Sequence, residues 1–414
     1  MNTMPNNLPL RFLHLLNCVG MVWILLTMMF HFVELPRWFM YGGLGLFFAT
    51  WLAEFVWEKR WQGFTFRLQN GYFLLFYAFF LLAVLYRPWD TATHFERLLG
   101  YRYPLLGFGL VGLFGLNRCY RLRWLFTAML VIAVSIGAWI LIHVPYHAEM
   151  PFAIWQDSFA LYRVAHFNAH MGFNFYLNVA LVGTWYILFR DRQGLPWWAL
   201  VLYTLGALFC LGLLLVSEGR TGFMMGMMFT TLLLTIELFR WRKWLAIVLL
   251  AAGISGAGWM VTHHNRVSEQ SIQKELRFCY WRSAWDLIRE RPILGYGISR
   301  AQEEFSEVSM QYVEEEWRRA SWEPYRQRLD THNQYIQCLL ETGILGLLLL
   351  LAMYIGPVVL DNRHRLLSMV LMGMCALQSV FDMFVTGQFC TMFCVLTLMC
   401  LAVPDASRDG TPVT

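Results

Sequence analysis

Charge is scarce in this sequence. Of its 414 residues only 14% are charged, while 58% are hydrophobic and the mean hydropathy is +0.47. A soluble domain carries about 25% charged residues, so a water-soluble globular chain is excluded and an integral membrane protein is left. Alternation of polar and apolar residues is also missing from the apolar runs, which excludes a membrane β-barrel. No basic run of the length that nucleic acid requires is present, and the net charge of +5 is distributed along the chain. The nine cysteines lie mostly within apolar stretches (Cys210, Cys375, Cys390, Cys394, Cys400) without metal-ligand spacing, where free cysteine packs as a small hydrophobe. No small-residue cleavage site follows the first apolar run, which therefore reads as a retained helix.

Long apolar runs are what the sequence has in abundance. They predict helices at 11–33, 38–57, 70–86, 99–116, 122–142, 171–189, 196–216, 221–239, 244–262, 335–358, 366–385 and 388–403. Each is near the roughly 20 residues that cross a hydrocarbon core. The fold class expected is an all-α membrane protein of about twelve transmembrane helices. Basic residues fall in every second connection: Lys59, Arg60 and Arg67; Arg118, Arg121 and Arg123; Arg190 and Arg192; Arg240, Arg242 and Lys243; Arg363 and Arg365. By the positive-inside rule these connections and both termini are cytoplasmic. The division expected is 1–262 for the first nine helices, 263–334 for a large outer loop, and 335–414 for the last three helices and a cytoplasmic tail, with a shorter outer segment at 143–170.

The large loop has helical periodicity of its own. Ile272, Leu276, Tyr280, Ala284, Leu287 and Ile288 form one apolar stripe, and Pro292 stops that helix near Arg291. After the turn "ILGYG", Ser299 and Gln302 resemble a capping box opening a second helix with the stripe Ala301, Phe305, Val308 and Tyr312. Glu314 with Arg318 and Glu315 with Arg319 are spaced to pair on its outer face. Basic residues further on, including Arg326 and Arg328, read as a solvated face.

Several residues carry candidate chemistry. Arg220 stands in the hairpin "SEGRTG", where Gly219 and Gly222 let backbone N–H groups and a guanidinium meet one phosphate; its plainer reading is an interfacial snorkelling arginine. Arg277 and Arg282 lie five apart in "RFCYWR", so only one of them faces a shared pocket; interfacial anchoring is the plainer account. His166 and His170 in "HFNAHMG" have a spacing that can bind zinc, but no acid or cysteine follows at a supporting distance, so no metal is expected. His332 and Asn333 open "HNQYIQCLLETGILG", with Glu341 about two turns on. A neutral imidazole can take a proton from a sugar hydroxyl, whereas a helix start explains the same polar cluster without chemistry.

The hairpin "SEGRTG", the segment "LRFCYWRSAWDLIRERPILGYG" and the segment "HNQYIQCLLETGILG", in this order over residues 217–346, together resemble the O-antigen ligase family and the related O-antigen polymerases. The sequence differs from the usual serine-rich first motif by Glu218 and Gly219 before Arg220. The resemblance implies a bacterial inner-membrane glycosyltransferase similar to the GT-C class, with its large loop and its active site in the periplasm and no cofactor. It also implies a donor, a glycan on undecaprenyl diphosphate, and an acceptor, a lipid A-core sugar. Carried across, Arg220 and Arg277 are the diphosphate-binding arginines, Arg282 the alternative for the second, and His332 the catalytic residue. Inversion at the anomeric carbon is expected from the family. A polymerase of the same superfamily, whose acceptor is itself lipid-linked, is the nearest alternative. A transporter is the rival from another class, suggested by "YGGLGL" and "GFGLVGLFG", which read more simply as helix-packing sites, and by the few intramembrane ionisable residues Glu54, Asp382 and Arg102.

Overall fold

The computed structural model of the protein describes residues 8–30, 37–63, 71–85, 92–116, 120–167, 170–217, 219–263, 276–312, 330–360 and 364–402. Among them there are helices and no strands. In chain order the helices are α1 (Leu8–Thr27), α2 (Arg37–Trp57), α3 (Gly71–Leu85), α4 (Ala92–Phe114), α5 (Leu122–His143), α6 (Phe152–His166), α7 (His170–Phe189), α8 (Trp197–Val216), α9 (Arg220–Trp241), α10 (Lys243–His263), α11 (Leu276–Glu290), α12 (Ile298–Tyr312), α13 (Gln334–Leu360), α14 (Arg365–Phe381) and α15 (Gly387–Ala402). A helix thus lies at each of the twelve stretches expected from hydropathy. Six helices, α1, α5, α7, α8, α9 and α13, contain segments long and apolar enough to cross a membrane. Shorter apolar helices occur at Arg102–Phe114, Lys243–Gly256, Arg365–Phe381 and Gly387–Cys400.

The helices group into two compact units. The first comprises 1–65, 114–257 and 402–414. Its pivot is α7, whose apolar window is 89% buried, against 22% for α8. α7 is enclosed by α5, α8 and α9, while α8 presents Leu202, Leu205, Leu208 and Leu215 outward, as a lipid-facing helix does. Close approach depends on glycine. A Cβ on Gly183 of α7 would lie 2.3 Å from the Phe126 ring of α5, and one on Gly20 of α1 would lie 2.8 Å from the Phe47 backbone of α2. Gly43 meets Trp23 in the same way, so the "YGGLGL" run is a packing surface between α1 and α2. Buried Asn17 secures that pair by donating to Phe47 O and Thr50 Oγ1, both at 2.9 Å, and by accepting from the Tyr120 hydroxyl at 2.6 Å. Glu54, buried in α2, has Arg60 at 3.7 Å and His14 at 3.8 Å, so its charge is compensated. Between α5 and α7, Phe152–His166 form the unanticipated helix α6, anchored by Trp155 Nε1–H donating to Val144 O at 2.9 Å.

The second unit comprises 66–113 and 258–401. Here α11 and α12 form an antiparallel pair seated on the start of α13, while α3 and α14 pack on α13 from the membrane-spanning part. One core joins them: Ala284, Leu287 and Ile288 of α11, Tyr296 of the connecting turn, Ala301 and Phe305 of α12, and Leu340 of α13. Of the stripes that the periodicity predicted, Ala284, Leu287, Ile288, Ala301 and Phe305 are in this core and Tyr280 and Val308 pack at its edge; Tyr312 is not among them, and Ile272 and the Leu276 side chain lie outside the described residues. Burial of each large side chain contributes about 1.5–3 kcal/mol. Ser299 does not stand at the cap position expected of it: α12 opens at Ile298, and Gly297 accepts the first helical bond from Ala301 N–H at 2.9 Å, so Ser299 lies inside the first turn. Glycine at φ 83° sets the entry to the helix at that point, and a serine cap has no role left. The proposed pairs of Glu314 and Glu315 with Arg318 and Arg319, and the residues Arg326 and Arg328, lie outside the described residues. The last turn of the span expected at 366–385 is absent: α14 ends at Phe381, and 382–386 form the connection to α15.

Candidate active site

The turn before α13 is built from its own side chains. Asp330 Oδ1 accepts the His332 N–H at 2.9 Å, and the Thr331 hydroxyl donates to Asn333 O at 2.8 Å. Asn333 Oδ1 accepts the N–H groups of Tyr335 (3.0 Å) and Ile336 (3.1 Å), which makes Asn333 the N-cap of α13. The helix-start reading of this cluster therefore holds for Asn333. His332, just outside the cap, has φ 47°, a left-handed conformation rare for a residue with a side chain. It is a strained position that the surrounding bonds over-determine, as functional residues often are.

Three elements converge on that imidazole. Trp281 of α11 donates Nε1–H to Thr331 O at 2.9 Å, fixing the turn to the loop helix. The Tyr280 ring lies roughly parallel to the His332 ring, with centroids 6.4 Å apart. Asp330 Oδ1 stands 3.3 Å from His332 Nδ1, and the His332 side chain keeps 43% of its surface open. From the connection after α14 comes Asp382. Burial raises its carboxyl to about 6; the Met383 N–H opposes this, Asp330 adds to it, and His332 and Arg277 oppose it. These four charged or chargeable groups act on one another within a single unit. The connection is held in place by Val385 N–H donating to Gln334 Oε1 at 2.8 Å, with Gln334 fully buried at the first position of α13. Burial, and after it Asp330, also raises the Tyr280 hydroxyl, so this ring keeps its proton.

Of the two loop arginines, Arg277 belongs to this group of charges. Arg282 is exposed and sits over the Tyr312 ring at 5.5 Å, where Tyr312 hydrogen-bonds Asp286. The five-residue spacing has placed them on different faces, as helical geometry requires.

Glu341 has a different place. It is 4% exposed, accepts from Gln337 Nε2 at 2.8 Å, and pairs with Arg102 of α4 at 2.5 Å, 239 residues away in sequence. The Arg102 guanidinium also lies 3.8 Å from the Phe80 ring centroid, a cation–π contact. Two residues further on, α13 is broken at Gly343 (φ 65°, ψ −161°), a conformation that only glycine adopts readily. The turn "PILGYG" lodges in the break. Tyr296 N–H donates to Leu340 O (2.8 Å), Gly297 N–H to Glu341 O (2.9 Å), and Ile344 N–H to Pro292 O (2.9 Å). A Cβ on Gly343 would fall 2.2 Å from Ile293 O, and one on Gly295 would fall 2.5 Å from Leu340 O. The motifs ending in "ILGYG" and "ETGILG" thus form one interlocked piece beneath His332.

Arg220 is in the first unit, as the first residue of α9. Gly219 precedes it at φ 114°, and the first bond of the helix is Phe223 N–H to Gly219 O at 3.4 Å. The amides of Arg220, Thr221 and Gly222 come before that bond and lie at the positive end of the helix dipole, the arrangement that receives anionic groups. Asn174 and Asn178 of α7 reach the same turn, with Nδ2 of Asn178 on Gly222 O at 2.9 Å and Nδ2 of Asn174 on Gly219 O at 3.4 Å. Neither residue was singled out from sequence, nor was Asp382 as a site residue. His166 and His170 do not share a helical face: α6 ends at His166, whose Nδ1 is 3.0 Å from Tyr162 O, and α7 begins at His170.

Residues 205–351 match a protein family described as O-antigen ligase. Over this stretch the chain is similar to the O-antigen ligase family. No curated protein matches the chain. The O-antigen ligase match runs from α8 into α13, so it contains Arg220, Arg277, Arg282, His332, Asn333, Glu341 and the Gly295–Gly343 interlock. It leaves out Arg102, Asn174, Asn178 and Asp382, which approach it from flanking helices. Together with the six apolar helices, the match fits a multi-pass membrane protein.

Proposed function

We propose that this protein is an inner-membrane glycosyltransferase that moves a glycan from undecaprenyl diphosphate to a sugar hydroxyl of the lipid A-core on the periplasmic side. On this reading the chain crosses the membrane about twelve times, with both termini cytoplasmic and residues 263–334 forming a periplasmic loop. The observation that carries the reading is His332. It stands half-open in a strained turn beside Asp330, where it and Arg277 both act electrostatically on Asp382, within a segment that matches the O-antigen ligase family.

The chemistry divides among these groups. Asp330 facing Nδ1 favours the tautomer with its proton on that nitrogen, leaving Nε2 as the base. Nε2 takes the proton from the acceptor hydroxyl as its oxygen attacks C1 of the donor sugar. The bond from C1 to the phosphate oxygen breaks, and its electron pair leaves with undecaprenyl diphosphate. Arg277 meets the negative charge that grows on the departing diphosphate, and the family resemblance assigns Arg220 the same role. Asp382 offsets the cationic charge of Arg277 and of His332 once protonated. A single displacement of this kind inverts the anomeric centre, and the process uses no cofactor.

Lipid analysis of a deletion strain tests the proposal. Loss of the gene should leave uncapped core lipid alongside accumulated lipid-linked polymer. Core carrying a single repeat would instead indicate polymerisation, with a lipid-linked acceptor. Arg220→Ala and His332→Ala variants expressed at wild-type levels should fail to restore capping, and restoration by either would refute the assigned site.

A further inference from the structure

We propose that Asn174 and Asn178 are positioning residues that clamp the Arg220 turn to α7. Both side chains are buried, at 1% and 2% exposure, in the middle of an apolar helix where an unpaired amide is costly. They stand four residues apart, on one face of α7. Opposite them, Gly219 and Gly222 present backbone carbonyls, and the two amides donate to these oxygens at 3.4 Å and 2.9 Å. Gly219 O already receives the first bond of α9, so the asparagines grip the turn at which that helix starts.

The fit is mutual. A Cβ on Gly222 would lie 2.3 Å from Asn174 Cβ, and one on Gly226 would lie 2.6 Å from Asn178 Oδ1. Glycines four apart on α9 therefore receive asparagines four apart on α7. Small residues let the two backbones close, and the amides then fix the register along the helix axis. Closure without the amides would leave α9 free to slide or rotate on a smooth glycine face. The clamp sets where the backbone amides of Arg220, Thr221 and Gly222 point, and so prepares the turn for a diphosphate before the lipid arrives. The ligand in this inference rests on the proposed function; the clamp itself rests on the contacts alone.

The test uses the full-length protein in lipid nanodiscs, with two readouts and four variants. Asn174→Ala and Asn178→Ala remove donor and volume, Asn178→Leu removes the donor while keeping the volume, and Arg220→Ala is the reference for lost binding. Hydrogen exchange of residues 217–226 reports the turn, and it should speed up about tenfold in each asparagine variant while other transmembrane peptides stay unchanged. Binding of undecaprenyl diphosphate should weaken about tenfold, and in turnover the KM for the lipid-linked donor should rise by a similar factor with kcat within about twofold. If Asn178→Ala does not accumulate, Asn178→Leu supplies both readouts. Unchanged exchange in the turn would overturn the clamp. Faster exchange with wild-type binding, while Arg220→Ala loses binding, would overturn its positioning role. Wild-type binding by Arg220→Ala as well would instead sink the proposed function and leave the clamp standing.

Discussion

His332 combines an unusual backbone with an open imidazole, and the two can be separated by substitution. Because its φ of 47° disfavours branched side chains, His332→Val should lose about 1–2 kcal/mol of stability, whereas His332→Gly and His332→Asn tolerate that conformation. All three should abolish transfer, so thermal unfolding and turnover will rank the variants differently. Arg277 is a second residue-scale case. If it grips the diphosphate as a planar fork, Arg277→Lys should lose at least about tenfold in kcat/KM, and full activity in the lysine variant would reduce its role to point charge. Asp382 gives a pH-dependent prediction. Its carboxyl sits at about 6 in the folded protein against 3.8 unfolded, so the folded state binds the extra proton between those values. Stability contributed by the protonated acid is therefore present below about pH 4 and lost as pH rises through 6. Asp382→Asn, which cannot ionise, should match the wild type near pH 4 and melt higher above pH 6, as thermal unfolding across that range will show.

Among the elements, α13 shows how membrane helices position a site. Its cap presents His332, its first turns carry Gln334, Gln337 and Glu341 inward, and its break at Gly343 accepts the loop turn. Gly343→Ala and Gly295→Ala would each drive a methyl group into backbone, within 2.2 and 2.5 Å of a carbonyl oxygen. We expect each to cost about 3 kcal/mol or more, enough to lower accumulation, and a melting temperature equal to wild type would contradict the interlock. The Arg102–Glu341 pair should behave as buried pairs do. Glu341→Leu alone strands a guanidinium that is 3% exposed and should lose about 3–5 kcal/mol, while Arg102→Met with Glu341→Leu should recover much of it. Equal losses in the single and double variants would mean that the contact carries no coupling.

For the molecule as a whole, orientation follows from charge. In a background stripped of native cysteines, single cysteines placed at 61, 192 and 242 should resist a membrane-impermeant maleimide in intact spheroplasts, and cysteines at the exposed positions 148 and 307 should react. Reversed labelling would invert the topology and remove the periplasmic site with it. The all-helical class, a helix at each apolar stretch, much of the loop-helix stripes and the glycine packing surface between α1 and α2 were legible in the sequence, because hydropathy and periodicity are local sums along a few turns of chain, whereas α6 was not. The Ser299 cap was misread because Gly297, one residue before the helix, already filled the entry. Asn174 and Asn178 were passed over because an asparagine in an apolar run says nothing of what it faces. Glu341 was legible as an acid about two turns past His332, but its partner Arg102 lies 239 residues away. Sequence by itself determined a helical membrane protein and the motifs that carry its chemistry. Only the tertiary structure decided that Asp382 feels the charges of Asp330, His332 and Arg277, and that glycine turns lock into broken or opening helices. Those outcomes depend on which helix faces meet, and a meeting between distant segments leaves no periodic trace in either one.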